Sequence, residues 1–151
     1  LSNEETLALF KGVDGIDLSQ FSDDKLLKII SLMKERATFI KDIYHDGKFF
    51  FETPTGYDEK ASKKAWNDET GTLMNDLADV FHATETFDAE TLRKAIHDFA
   101  ETKELGMGKV MMPLRLALVG ELKGPDVPDI LEILGSEESV SRIKNAVNNI
   151  N

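Results

Sequence analysis

The 151-residue chain has no cysteine, which excludes disulfides and thiolate metal sites and suits a reducing cytosol. Histidine occurs only at positions 45, 82 and 97. His82 and His97 fall on different predicted helices, and neither has a second histidine or cysteine three or four residues away, so no metal site is expected. No G-x-S-x-G elbow is present for a nucleophile. Gly106-Met107-Gly108 lacks the third glycine and the preceding strand of a phosphate loop. No apolar run approaches membrane-spanning length, and Leu1-Ser2-Asn3-Glu4-Glu5 is unlike a signal peptide. A cytoplasmic chain without membrane contact is therefore expected. Alternating strand patterns, internal repeats and low-complexity blocks are missing too, and the start at leucine suggests a piece cut from a longer polypeptide.

Positive charge is scarce. Twenty-eight acidic residues face 18 basic ones, giving a formal charge of −10. The only dense basic cluster is Lys60, Lys63 and Lys64, and Asp58, Glu59 and Asp68 flank it. This balance argues against non-specific nucleic-acid binding, which draws on clustered Lys and Arg. It leaves room for a site that reads bases with a few placed residues while another domain supplies phosphate affinity. Apolar content of 41% is that of a folded chain, and the length suits one domain or two small helical subdomains.

The spacing of apolar residues is helical throughout. Ser2 and Glu5 form a capping box for a short helix through Leu7 and Phe10, followed by a glycine-punctuated connection, Lys11–Gln20. Ser22 caps a long helix, with Phe21 stapled onto Leu26; Leu26, Ile29, Ile30, Met33, Ala37 and Ile40 mark its buried stripe to about Tyr44. Phe49–Phe51, followed by Thr-Pro-Thr-Gly, fits an apolar hinge between two subdomains, or else an exposed partner patch. The hinge is preferred, with the boundary near Glu52. Helices are predicted over Asp58–Trp66 and Glu69–Phe81, the latter with Leu73, Leu77, Val80 and Phe81 inward. Asp88 caps the next, Phe87 staples onto Leu92, and Leu92, Ala95, Ile96 and Phe99 face the core until Gly106 ends it. The last helix, about Glu137–Val147, buries Val140, Ile143 and Val147.

The most informative stretch is Gly106–Arg142. It predicts a helix over Met111–Val119, with Pro113 in its first turn and Gly120 at its stop. Gly124-Pro125 turns the chain. A second helix begins at Asp126–Leu134 with Pro128 in its first turn; Gly135 ends it and Ser136 caps a third. Arg115 shares the apolar flank of Met111, Leu118 and Val119. A guanidinium there costs several kcal/mol unless something anionic or hydrogen-bonding meets it. The simplest partner is Glu121 or Glu132. Arg36 repeats the anomaly at the edge of the long helix's buried face, where a snorkelling arginine paired with Glu35 or Asp42 is the plain reading.

The order Gly108, Pro113-Leu114-Arg115, Ala117-Leu118, Gly120, Gly124-Pro125, Ile130, Leu134-Gly135, Glu137, Arg142 resembles the C-terminal anticodon-binding domain of bacterial glutamyl-tRNA synthetases. With the flanking helices the likeness covers nearly all of the chain. It implies an all-α fold of two packed helical subdomains, residues 1–52 and 53–151, of the α-helical cage type found in class I aminoacyl-tRNA synthetases. It also implies recognition of the glutamate tRNA anticodon loop as part of a glutamate–tRNA ligase. The ATP- and Mg²⁺-dependent chemistry would lie in an upstream catalytic domain of the same polypeptide, since no HIGH-like or KMSKS-like motif and no βαβ alternation occurs here. No cofactor and no catalytic residue is expected in this chain itself.

Residue by residue, Arg36 in the Met33–Arg36 context would read the third anticodon base. Arg115, Gly124, Pro125 and Val127 would build the pocket for the other bases. At Lys123-Gly124 some members of that family carry Glu-Thr, so position 124 here could offer only backbone groups. The contrasting expectation is a free-standing acidic helical interaction module.

Overall fold

A computed structural model describes residues 2–12, 18–34, 43–44 and 46–150. Their regular secondary structure is all helical, with no strand among them. The chain divides into two compact units, Leu1–Glu52 and Thr53–Asn151.

In the first unit, α1 (Asn3–Lys11) opens on the Ser2–Glu5 capping box, in which Ser2 Oγ accepts from the Glu5 amide at 3.1 Å and Glu5 Oε1 from the Ser2 amide at 3.1 Å. Ser22 caps α2 (Asp23–Met33) by accepting from the Lys25 amide. Two acidic residues in the first turn of each helix suit the positive end of its dipole. The buried face of α2 is Leu26, Ile29, Ile30 and Met33, as its spacing predicts, and α1 supplies Leu7 and Phe10. A short helix, α3 (Lys48–Phe51), buries Phe49 and Phe50, so these two rings are not an exposed patch. The Phe51 ring stacks on Tyr44 and meets Phe21 edge-on, with centroids 5.4 and 5.3 Å apart. Full burial of a phenylalanine such as Phe10 or Phe50 is worth about 1.5–3 kcal/mol. Residues 13–17 of the glycine-punctuated connection, His45, and Arg36, Ala37 and Ile40 of the long predicted helix lie outside the described residues.

The second unit contains α4 (Glu59–Ala65), α5 (Thr70–Ala83), α6 (Ala89–Thr102), α7 (Met107–Val119) and α8 (Val127–Asn149). α8 is the centre of the unit, packing on α5, α6 and α7. Asp58 and Asp88 cap α4 and α6 through the Ala61 and Thr91 amides. The core face of α5 is Thr70, Met74, Leu77, Ala78 and Phe81. Leu73 and Val80, expected inward, are only partly covered. The same holds for Ala95 in α6 and for Val140 and Val147 in α8.

Two boundary expectations are corrected. Gly106 does not end α6; it is the extended N-cap of α7, with φ −71° and ψ 154°. The reversal after α6 is made by Glu104 at φ 57°, with the Leu105 amide reaching the Ala100 carbonyl and the Glu104 amide the Glu101 carbonyl, a Schellman arrangement without glycine. Because α7 starts at Met107, Pro113 stands in its interior rather than in its first turn. The proline has no N–H to offer the Lys109 carbonyl, so the helical bond at that position is missing. The expected helix end at Gly135 is present, and α8 is two helical segments joined there without a loop. Gly135, at φ 84° and ψ 165°, breaks the helical path in a region open essentially to glycine alone. Ser136 then hydrogen-bonds the Phe81 carbonyl at 3.4 Å.

Candidate nucleic-acid interface

The site grows from the end of α7. Apolar Leu114, Leu116, Ala117 and Leu118 bury this helix, and Gly120 stops it in the left-handed conformation, φ +89°, its amide bonded to the Leu116 carbonyl at 2.8 Å. Only glycine fits there. A Cβ would lie 2.9 Å from the Gly56 carbonyl oxygen and 3.2 Å from Pro54 Cβ. The Gly120 carbonyl accepts from the Asp58 amide at 2.8 Å, so the segment before α4 lies directly against this stop. Beyond it the chain turns through Gly124, also at positive φ (121°), and Pro125, then enters α8 at Val127 with Pro128 in the first turn.

Arg115 closes the corner. Its Nη1 donates to the Pro125 carbonyl at 2.7 Å. The plain reading asks for a carboxylate, Glu121 or Glu132; one partner among the described residues is the Pro125 main-chain carbonyl, while Glu132 Oε1 accepts from the Ala89 amide at 3.0 Å. Arg115 is half-buried, Pro125 and Val127 are buried, and Gly124 is partly open. The structure thus brings Arg115 and Pro125 into contact, with Gly124 adjoining them. The Val127 side chain goes into the core, leaving its backbone as the part able to meet a ligand. Arg36 lies outside the described residues.

The electrostatics of the corner disfavour phosphate. Asp126, Asp129 and Glu132 follow it on α8, with Arg93 3.5 Å from Asp126. Burial, then the neighbouring Asp126 charge, pushes the Asp129 carboxyl above its usual range, and Arg93 offsets part of this. A group of donors in acidic surroundings, with a guanidinium fixed at a rigid turn, suits base edges rather than a sugar–phosphate chain.

Two concavities lie elsewhere in the second unit. A groove of about 960 Å³ is bordered by Lys63, Lys64, Lys103, Lys109, Trp66 and Pro113 among others. A second, of about 690 Å³, is lined by Pro54–Tyr57, Glu59, Ser62, Asn145, Asn149 and Ile150. Tyr57 accepts from Asn145 Nδ2 at 3.1 Å, and burial raises its phenol above the usual value. His97, Asp98 and Glu101 come together on α6, but all three are exposed.

Residues 5–147 match the family model of the anticodon binding domain. The chain belongs to that family. It is 41% identical over 137 residues to the glutamate–tRNA ligase of Christiangramia forsetii, covering 89% of this chain and 27% of that one. The Phocaeicola vulgatus glutamate–tRNA ligase is 42% identical over 149 residues, 97% of this chain and 29% of its own length. Among solved structures, the glutamate tRNA ligase of Elizabethkingia meningosepticum superposes with a TM-score of 0.93 at 56% identity, over all of this chain and 30% of that one. The anticodon-binding domain described here therefore spans under a third of the length of these relatives.

One further residue of this anticodon-binding domain holds a position that its residue type does not announce. Arg142 was legible only as a matched position, yet it is buried, 2% exposed, within the core face of α8. Its Nε donates to Glu138 Oε2 at 2.7 Å and its Nη1 to the Leu118 carbonyl at 2.9 Å. The signal that could have found it was Glu138 four residues earlier on the same face, the spacing of an i,i+4 pair.

Proposed function

We propose that this anticodon-binding domain recognises the anticodon loop of glutamate tRNA as part of a glutamate–tRNA ligase, with both units, 1–52 and 53–151, contributing. The observation that carries the reading is the Arg115–Pro125 clamp, which fixes a guanidinium and a glycine–proline turn at one partly open corner. Unstacked loop bases present hydrogen-bonding edges, and arginine and backbone groups on a rigid turn are suited to meet them. The strong likeness to glutamate–tRNA ligases supports the choice of tRNA. In this reading Arg115, Gly124, Pro125 and Val127 form the pocket, the last three through backbone groups, and Arg36 reads the third base. Ligation with ATP and Mg²⁺ would belong to the catalytic domain of the same polypeptide, in the cytoplasm, and no residue here is assigned to it.

The test uses the full-length ligase and two tRNA transcripts differing only at the third anticodon base. Cytosine offers O2 and N3 acceptors to the N–H groups of Arg36, whereas guanine presents donors there. Arg36→Gln supplies a donor and an acceptor, so discrimination between the transcripts should relax by about 1–3 kcal/mol, roughly 10- to 100-fold in kcat/KM. Arg115→Ala should lower kcat/KM for the cognate transcript. Unchanged kinetics for both variants would overturn the reading.

A further inference from the structure

We propose that Arg142 is a positioning residue for base recognition, acting on the corner from beneath; this rests on the anticodon reading of the Arg115–Pro125 corner. The last carbonyls of a helix have no amide four residues on to meet them. In α7 the Leu116 carbonyl is taken by the Gly120 amide, and the Leu118 carbonyl is taken by Arg142 Nη1 from α8. The guanidinium therefore serves as a C-cap from another helix, placing positive charge at the negative end of the α7 dipole.

Its own position is fixed in turn. Nε bonds Glu138 Oε2, and the same oxygen accepts from Thr53 Oγ1 at 3.0 Å. Thr53 begins the segment whose Pro54 and Gly56 press on Gly120 and whose Asp58 amide bonds the Gly120 carbonyl. Arg142 thus sets where α7 ends, and Arg115, three residues before Leu118, sets where the turn at Pro125 sits relative to that end. The two arginines hold opposite ends of the same turn. Arg142 itself is buried and touches no tRNA; its effect passes through Arg115 and the turn.

The experiment compares four full-length ligases on cognate and anticodon-altered transcripts: wild type, Arg115→Ala, Arg142→Lys, and the two changes together. Arg142→Lys keeps the charge but loses the fork that meets Glu138 and Leu118 at once. Expected is a rise in KM for cognate tRNA with reduced discrimination, roughly 10- to 100-fold in kcat/KM as for a small misplacement of recognition groups. Charging of an acceptor-stem minihelix lacking the anticodon arm should stay at the wild-type level. Because Arg142 works through the corner, its change should add little once Arg115 is alanine.

A second variant separates positioning from folding. Removing both charges together avoids leaving one of them unpaired, although the Leu118 carbonyl loses its donor, so Arg142→Met with Glu138→Leu should melt below wild type, remain folded at the assay temperature with wild-type charging of the minihelix, and still lose discrimination. If that folded variant discriminates as wild type does, or if the Arg115 and Arg142 losses are fully additive, the positioning role is overturned. If Arg115→Ala alone leaves discrimination intact, the anticodon reading of the corner fails instead.

Discussion

The Arg115 guanidinium and the Pro125 carbonyl are ten residues apart in the chain and 2.7 Å apart in space. That one bond ties the end of α7 to the start of α8. Losing it would leave a carbonyl of buried Pro125 without its charged donor, at a cost of about 1–3 kcal/mol. Arg115→Met should therefore lower the unfolding free energy of the isolated domain by that amount, measured by denaturant titration, and Arg115→Lys by less. Superimposable curves for Met and wild type would show that the bond does not hold the turn.

Glycine and glutamate are in reversed places at two helix ends. Gly120 needs its left-handed conformation and has the Gly56 oxygen where a Cβ would go, while Glu104 takes positive φ with a full side chain. A left-handed L-residue costs roughly 1–2 kcal/mol. Glu104→Gly should recover part of this and raise the melting temperature by about 2–4 °C per kcal/mol. Gly120→Ala should move it the other way and further, because strain and contact add. Calorimetry of both variants checks the sign.

In the first unit, Phe50 is 2% exposed and Phe51 partly open. Phe50→Ala should cost about 3–5 kcal/mol, and Phe51→Ala less, since its ring keeps a face toward solvent. Thermal melts in which Phe51→Ala is the more damaging change would contradict this assignment of burial.

The acid limb of stability should depend on Asp88. Its hydrogen bond from the Thr91 amide holds the carboxyl below its usual range. The folded pKa is lower than the unfolded one, so the cap contributes above the unfolded aspartate value of about 3.9 and is lost as pH falls through the folded value. Asparagine caps equally well without titrating. Melting temperatures of wild type relative to Asp88→Asn should hold steady above about pH 5 and fall below it; parallel curves down to pH 2 would remove the charge from the cap.

Local chemistry made much of this fold readable. Ser2, Ser22 and Asp88 announce helix starts because a short oxygen-bearing side chain before an apolar repeat has one common use. The stripe of α2 is likewise visible, since its positions recur at helical spacing. What escaped was tertiary. Pro113 suggests a first turn by its own chemistry, and only packing keeps it inside α7. Glu104 at a helix end violates the glycine preference, so Gly106 looked like the stop. Leu73 and Val80 have the hydrophobicity of core residues, yet the neighbours that decide burial of α5 are on α8. At the site, Arg115 stood out as a charge on an apolar flank, but a carbonyl acceptor ten residues away leaves no trace in residue types. Arg142 was hidden for the same reason.

The break at Gly135 divides the rotational phase of α8 into two separate counts. Each residue advances a helix by about 100°, so in an unbroken rod a single inserted residue between Val127 and Arg142 would swing every later side chain off its mark. Here the segment leading from the corner and the segment carrying Arg142 are indexed independently on either side of one glycine. Changes in the azimuth of Ile130, Leu131 or Leu134 can be absorbed at the joint while Arg142 stays aimed at Leu118. One glycine thus lets the segment after the Pro125 turn and the segment that carries Arg142 keep separate registers.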